Sequence, residues 1–396
     1  MPKKLNFISL LQARKARKLS VAEVADFTKI SENRLVRFET GDLEPSIPQL
    51  TKLGALYNAP SYAFYSDKPL VFEATLPDFR KSSPSAADLS PKGLTRLWQV
   101  ERRAKFVGDL TLALGTSAPK TVGLTRFTNQ SVPEAAELRA GFDRWLSTRD
   151  KSLKFSGTKE DAFQKQLRLF LEIMSCSTSV NSAPIDDYLG FYQKIPDASH
   201  LIFINREVRH EKRRLFTLAH EMAHFVYREE GISDPFVAKN DIEKRCNNYA
   251  AQFLAPDRQV LQIVHAATSS TINDVARLAN LVARETLLSR QAATLRLREL
   301  DVITRKAASE FFAHLNMLRR VTEPSSESRK PAPKGRAVVI GKMLSEVGVY
   351  AAYTASLALR NKIVDVVDVE RGLGLSESIQ KDVLDLAAKR FEASAQ

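Results

Sequence analysis

Cysteine is scarce in this 396-residue chain, which carries only Cys176 and Cys246. Two thiols cannot build a disulfide framework, and the absence of a CxxC pair excludes a cysteine zinc site, so a reducing compartment fits. Long apolar runs are missing as well. No stretch approaches the ~20 residues needed to span a bilayer, and the apolar piece of the basic start, FISLL at 7–11, is too short for a signal-peptide core. The expectation is a cytoplasmic protein with no membrane partner. Acidic residues are outnumbered, 46 against 59 Lys+Arg, and the resulting net charge of +13 suits a nucleic-acid or other polyanionic partner without singling one out. No repeat of fixed period is present, which excludes a solenoid.

What is present is the ordinary balance of a folded chain, 44% hydrophobic and 27% charged, so disorder is not the default. The length implies about two or three domains. Residues 1–67 place Leu10, Val24, Leu35, Phe38, Leu50 and Leu53 at helical spacings, enough for five short helices. A Pro- and Ser-rich connector opens the region 68–150, before helices expected at about 90–114 and 133–150. Residues 151–265 hold a helix at about 163–175, a Ser- and Asn-rich stretch, the strand candidate LIFIN at 201–205, and helices over 211–226 and 241–256. A helical segment at 266–320 follows. The stretch 321–336, with three prolines and three serines, reads as a linker before a helical unit at 337–396.

The run 217-TLAHEMAHFV-226 contains two of the six histidines. His220 and His224 are four apart, so on a helix they share a face and can reach one ion while Glu221 points beside it. Neutral imidazoles suit Zn²⁺, a catalytic site keeps three protein ligands and a water, and Glu221 would serve as general base. The competing reading is a core helix with incidental polar residues. Leu215, Phe216, Leu218, Ala219, Met222, Ala223, Phe225 and Val226 make this helix apolar nearly all round, and a buried His pair needs partners, which a metal supplies. Glu243 on the next helix could be a third ligand, with Asn247 one turn later steadying a ligand by hydrogen bonding. Equally, Glu243 could be a solvated glutamate favoured near a helix start by the dipole.

The runs 211-EKRRLFTLAHEMAHFV-226 and 243-EKRCNNYAAQFLAP-256 together resemble the signature of the ImmA/IrrE family of zinc metallopeptidases, with Cys246, Tyr249 and Phe253 as mild departures. The preceding DDYLGFYQKIPDASHLIFIN resembles that family's strand region. The resemblance implies a central α+β zincin-like domain with a small sheet, one Zn²⁺ held by His220, His224 and Glu243, and Glu221 as catalytic base. An oxyanion-stabilising donor is also expected for peptide hydrolysis. His210, Arg213, Arg214 and Tyr227 lie near in sequence, but each reads better as a surface or packing residue.

In 19-LSVAEVADFTKISENRLVRFETGDLEPSIPQLTKLGALYNAP-60 the layout is helix-turn-helix: a first helix at about 20–27, a turn at 28–30 and a second helix opened by Ser31. Ser31, Glu32, Asn33, Arg34 and Arg37 are then the residues positioned to read bases or phosphates. The alternative is a small helical packing domain. The pattern over 8–60 resembles the XRE/Cro class of DNA-binding domains, and ATLPDFR at 74–80 resembles a connector of longer ImmA/IrrE proteins fused to such a domain. It departs at Val21, commonly a phosphate-contacting Gln, a role that Lys15, Arg17 and Lys18 could take instead.

The fold class expected is therefore multidomain and mainly α: a five-helix XRE/Cro-like domain, a metallopeptidase-like domain and a C-terminal helical region. The function expected is a regulator that binds a double-stranded operator and cleaves a repressor-type regulatory protein. A non-proteolytic transcription factor with a sensory or structural zinc domain is the alternative. Paired half-sites leave a homodimer open, although no coiled coil supports one.

Overall fold

The computed structural model describes residues 5–57, 59, 61–65, 76–78, 85–86, 89–115, 123–150, 153–155, 157–195, 200–233, 240–321 and 335–395. Most of the expected linker over 321–336 and most of the ATLPDFR connector lie outside them.

The N-terminal unit consists of α1 (Phe7–Ala16), α2 (Val21–Thr28), α3 (Glu32–Thr40) and α4 (Ile47–Tyr57), and its fifth helical element is a 3-10 helix, Ser61–Tyr65. Ser20 starts α2 with a reciprocal capping box to Glu23, satisfying two otherwise orphaned backbone donors. Lys29, left-handed at φ 59°, ends it. Ser31 occupies the N-cap position of α3 in extended conformation, but its hydroxyl makes no capping bond. Leu10, Val24, Leu35, Phe38, Leu50, Leu53 and Phe64 close a separate small core. The Arg14 guanidinium adds a two-pronged bond to Glu39, 2.7 Å at each prong, tying α1 to α3.

The central region begins with α5 (Pro91–Ala113), capped by Ser90 with Pro91 in its first turn, and continues through α6 (Ala135–Thr148) and α7 (Lys159–Ile173). Two-residue strands β1 (Pro77–Asp78) and β2 (Ser85–Ala86) join β3 (Cys176–Asn181), β4 (Gly190–Lys194), β5 (His200–Asn205) and β6 (Gly231–Ser233) in one sheet of order β2-β1-β6-β4-β5-β3. β4 runs antiparallel to both β5 and β6, while β3 and β5 are parallel. Side chains alternate across the sheet. Phe191, Leu201, Phe203 and Ile232 face Leu94, Leu97 and Val100 of α5 on one side. Tyr192, Ile202 and Ile204 join the larger core on the other side. That second side is covered by α8 (Glu211–Tyr227), which packs on β4 and β5 with α7 and α9 (Asp241–Leu254) alongside.

The polar run over 176–181 is a buried strand, not the loop its Ser and Asn content suggests. Its side chains are served from neighbouring elements: Arg168 Nε donates to Thr178 Oγ1 at 3.0 Å, Thr178 donates to Glu172, and Ser179 donates to the Glu346 carbonyl. Such partners offset the burial of a polar strand, although Asn181 Nδ2 has none among the described residues.

Helices α10 (Asp257–His265), α11 (Ser269–Ile272), α12 (Val275–Glu285), α13 (Arg290–Glu299) and α14 (Arg305–Val321) extend the central region. The last four, α15 (Arg336–Val347), α16 (Val349–Arg360), α17 (Val366–Leu373) and α18 (Glu377–Ala395), do not form a core of their own. Leu344, Val347, Ala352, Leu373 and Val383 belong to the same cluster as Leu167, Ile202 and Leu218. Among the described residues, no helix is long and apolar enough to cross a membrane.

Candidate metal centre and DNA-reading surface

α8 is apolar on nearly every side because it is wrapped by the sheet, α7 and α9, and its polar residues are buried with it. His220, Glu221 and His224 are all 0% exposed. Glu243 comes from the first turn of α9, where the Asn240 side chain caps its backbone N–H at 2.9 Å. Glu243 is not solvated: its side chain is 0% exposed and turned onto the histidines.

Three ligand-type atoms converge there. His224 Nε2 lies 3.0 Å from His220 Nε2 and 3.2 Å from Glu243 Oε1, and His220 Nε2 lies 3.3 Å from Glu243 Oε2. The far side of each ring fixes the tautomer. His224 Nδ1 donates to the Glu229 carbonyl at 3.1 Å and His220 Nδ1 donates to Asn247 Oδ1 at 2.9 Å. In the neutral rings both Nε2 lone pairs therefore point into the gap, beside a carboxylate. Among these crowded atoms Glu243 Oε2 has no hydrogen bond. A single proton could join one pair and leave the third atom unserved, whereas one metal ion serves all three. The spacing fits: atoms about 2.0–2.1 Å from a tetrahedral ion lie about 3.3 Å apart. These three residues can hold a metal ion.

Glu221 sits beside this cage. Ser233 of β6 donates its hydroxyl to Oε1, while Oε2 has no hydrogen-bond partner among the described residues. Ser233 pairs directly with Gly190 of β4 in the sheet register. A Cβ at Gly190 would stand 2.6 Å from Glu221 Oε1 and 2.9 Å from Thr217 Cγ2, so glycine is what lets the carboxylate lie against the strand. Burial raises the Glu221 pKa well above the ordinary carboxylate range, Ser233 opposes the rise, and the Glu243 charge adds to it. A raised value is the direction a general base near neutral pH requires. Neither Gly190 nor Ser233 was among the sequence candidates. Their closeness to Glu221 arises from strand register, which no local motif carries.

Three of the four candidates for an oxyanion donor are engaged elsewhere or exposed. Arg214 donates to Asp161 and Gln164, Tyr227 packs against Tyr249 with Arg245 over its ring, and His210 is exposed at the start of α8.

On the N-terminal unit, Ser31, Glu32, Asn33, Arg34 and Arg37 are all exposed along α3. Leu35 and Phe38 face inward, so the five form the outward side of the helix. Gln49 of α4, absent from the sequence candidates, accepts from Arg34 at 3.5 Å and from the Ser46 N–H at 3.0 Å, placing an amide beside this surface. Lys15 and Lys18 are exposed, but Arg17 is buried and cannot take the phosphate-contacting role considered for it.

Residues 173–298 match the family model of the IrrE N-terminal-like domain. Residues 10–62 match a helix-turn-helix family model. No curated protein and no solved structure gives a match. The chain carries an XRE-type helix-turn-helix DNA-binding domain followed by an IrrE/ImmA-like domain of a metallopeptidase-like family.

Proposed function

We propose that this protein is an operator-binding regulator whose IrrE/ImmA-like domain is a zinc peptidase acting on a regulatory protein. The observation that carries the enzymatic half is the convergence of His220 Nε2, His224 Nε2 and Glu243 within 3.3 Å, each ring fixed from behind by a hydrogen bond. A zinc ion held by His220, His224 and Glu243 would supply Lewis-acid chemistry toward a peptide carbonyl. Glu221 would serve as the general base that accepts a proton from the attacking water and returns it to the leaving amine. Ser233 holds one carboxylate oxygen so that the other is available for the proton. Asn247 and the Glu229 carbonyl keep the two imidazoles in one tautomer, as residues behind metal ligands commonly do.

On the DNA side, α3 enters the major groove, with Asn33 suited to adenine and Arg34 and Arg37 to guanine or phosphate. Ser31 and Glu32 stand at the N-terminal end of α3, the end that such a helix turns toward base edges. A homodimer on paired half-sites and a cytoplasmic location accompany this reading.

The test is Glu221→Gln in the full chain. It should retain metal and DNA binding while cleavage of a co-expressed repressor-type protein falls by at least about 10²-fold. Cleavage at the wild-type rate with metal bound would show that Glu221 is not the base.

One observation favours a second reading, a metal centre that senses or stabilises without cutting. His220, Glu221, His224 and Glu243 are each 0% exposed, the burial of a closed structural centre rather than of one that keeps a position open. Under that reading Arg34→Ala and Arg37→Ala abolish regulation while Glu221→Gln is silent.

A further inference from the structure

Arg17 is where the N-terminal unit grips the rest of the chain. It sits in 15-KARK-18, between the exposed Lys15 and Lys18, yet it is 1% exposed. Its Nε and Nη2 donate to the Tyr57 carbonyl at 2.9 and 2.6 Å, closing α1 against the end of α4. Nη1 reaches the Leu94 carbonyl of α5 at 3.5 Å, and the guanidinium lies 3.4 Å above the Trp98 ring. A desolvated cation on a tryptophan face is among the stronger side-chain contacts, worth about 2 kcal/mol. Lys18 holds a left-handed backbone at φ 53°, a conformation that costs a side-chain-bearing residue about 1 kcal/mol and is maintained only where its surroundings fix it. Backbone bonds from the Lys18 N–H to the Lys15 carbonyl at 2.9 Å and from the Leu19 N–H to the Arg14 carbonyl at 3.2 Å close the helix end there, with Arg17 directed inward and Lys15 and Lys18 outward.

α5 is in turn bolted to β4 and the turn before it. Ser90 donates through its N–H and hydroxyl to Asp187 at 2.9 and 2.5 Å. Tyr188 donates to the Gly93 carbonyl at 2.9 Å, and Gln193 donates to Glu101 at 2.6 Å. Between these anchors lies Gly190, where an added Cβ would stand 2.6 Å from Glu221 Oε1 and 3.0 Å from its Cγ. Arg17, α5, residues 187–193 and Glu221 thus form one unbroken series of packed contacts from the DNA-binding unit to the metal centre. The recognition helix lies outside the latch, with all five of its reading residues exposed. Docking on α5 therefore leaves DNA access open.

We propose that this latch couples the two modules, so that duplex DNA on the N-terminal unit changes the affinity of the metal centre for its ion. The proposal rests on the metal-binding reading above. Lys15 and Lys18 are exposed and flank the residue clamped on Trp98, so a phosphate taken up by either would act on the segment that carries the latch. By linkage the effect is reciprocal: metal alters DNA affinity by the same factor.

The experiment titrates the full chain with Co²⁺, followed by its visible absorption, with and without a saturating random-sequence duplex at low salt. The expected result is a Co²⁺ dissociation constant that shifts by at least about fivefold with DNA. Arg17→Lys, which keeps the charge but loses the planar fork, and Trp98→Leu should bind Co²⁺ and DNA and lose the shift. Their folding is checked by the thermal transition. A wild-type Co²⁺ affinity unchanged by DNA overturns the coupling and leaves the metal reading intact. A shift that survives in both variants overturns the latch as its route. Failure of wild type to bind Co²⁺ at all overturns the metal reading, and the coupling with it.

Discussion

Gly190 is the residue whose replacement distinguishes site geometry from bulk packing. A methyl group there meets Glu221 Oε1 at 2.6 Å and Thr217 Cγ2 at 2.9 Å, and both partners are fully buried. We predict that Gly190→Ala costs about 1–3 kcal/mol in urea unfolding and weakens metal binding by tilting α8. Unchanged stability and metal affinity would mean the carboxylate does not lie against the strand. His200 gives a pH test. Burial first, then the charges of Arg228 and Lys194, bring its pKa from 6.5 down to about 4, so the folded chain keeps it neutral while the unfolded chain accepts a proton. Its contribution is complete above about pH 6.5 and is lost as pH falls toward 4. Urea midpoints should drop between pH 7 and 5, and His200→Gln should reduce that drop. At this scale the sequence was informative where geometry is local. The spacing of His220 and His224 dictates a shared helix face. The role of Glu243 stayed open between ligand and solvated helix start because only its burial distinguishes them. Ser233 was invisible, since it meets Glu221 through sheet pairing.

Elements were legible in proportion to how ordinary their composition is. LIFIN, alternating between two apolar faces, is β5, and the helices over 90–114, 133–150 and 241–256 lie close to α5, α6 and α9. β3 was missed because Ser, Thr and Asn normally mark turns. What makes it a strand is the buried pair Arg168 and Glu172 on α7. Glu172 accepts from Thr178 and from the Tyr350 N–H at 2.7 Å, and Arg168 donates to Ser345 Oγ and carbonyl at 2.7 and 2.8 Å. The same two side chains thus hold β3 and the junction of α15 and α16. Removing one partner leaves the other charge buried and uncompensated, so Glu172→Ala should cost about 3–5 kcal/mol in urea unfolding. It should also open the α15–α16 junction to limited proteolysis. A loss under about 1 kcal/mol would mark the pair as solvent-screened, and the account of β3 would need another basis.

At the scale of the whole molecule, a net charge of +13 suggested a polyanionic partner without identifying one, and the exposed row on α3 with Arg34 and Arg37 is the surface we propose for it. Arg34→Ala and Arg37→Ala should each weaken binding to duplex DNA, with the loss shrinking as salt rises if the contact is to phosphate. Equal affinities across salt would remove α3 as the reading helix. The metal centre makes a separate whole-molecule demand. A ligand that binds only the folded state stabilises it by about 4 kcal/mol at a thousand times its dissociation constant. The measurement that bears most directly on the account is therefore the metal content of purified protein, compared between wild type and His224→Ala. The wild type should carry about one equivalent of zinc, as a single His₂Glu cage requires, and the variant little or none, with a lower thermal transition in the variant and in chelator-treated wild type. Equal zinc in both proteins would contradict the metal-centre reading.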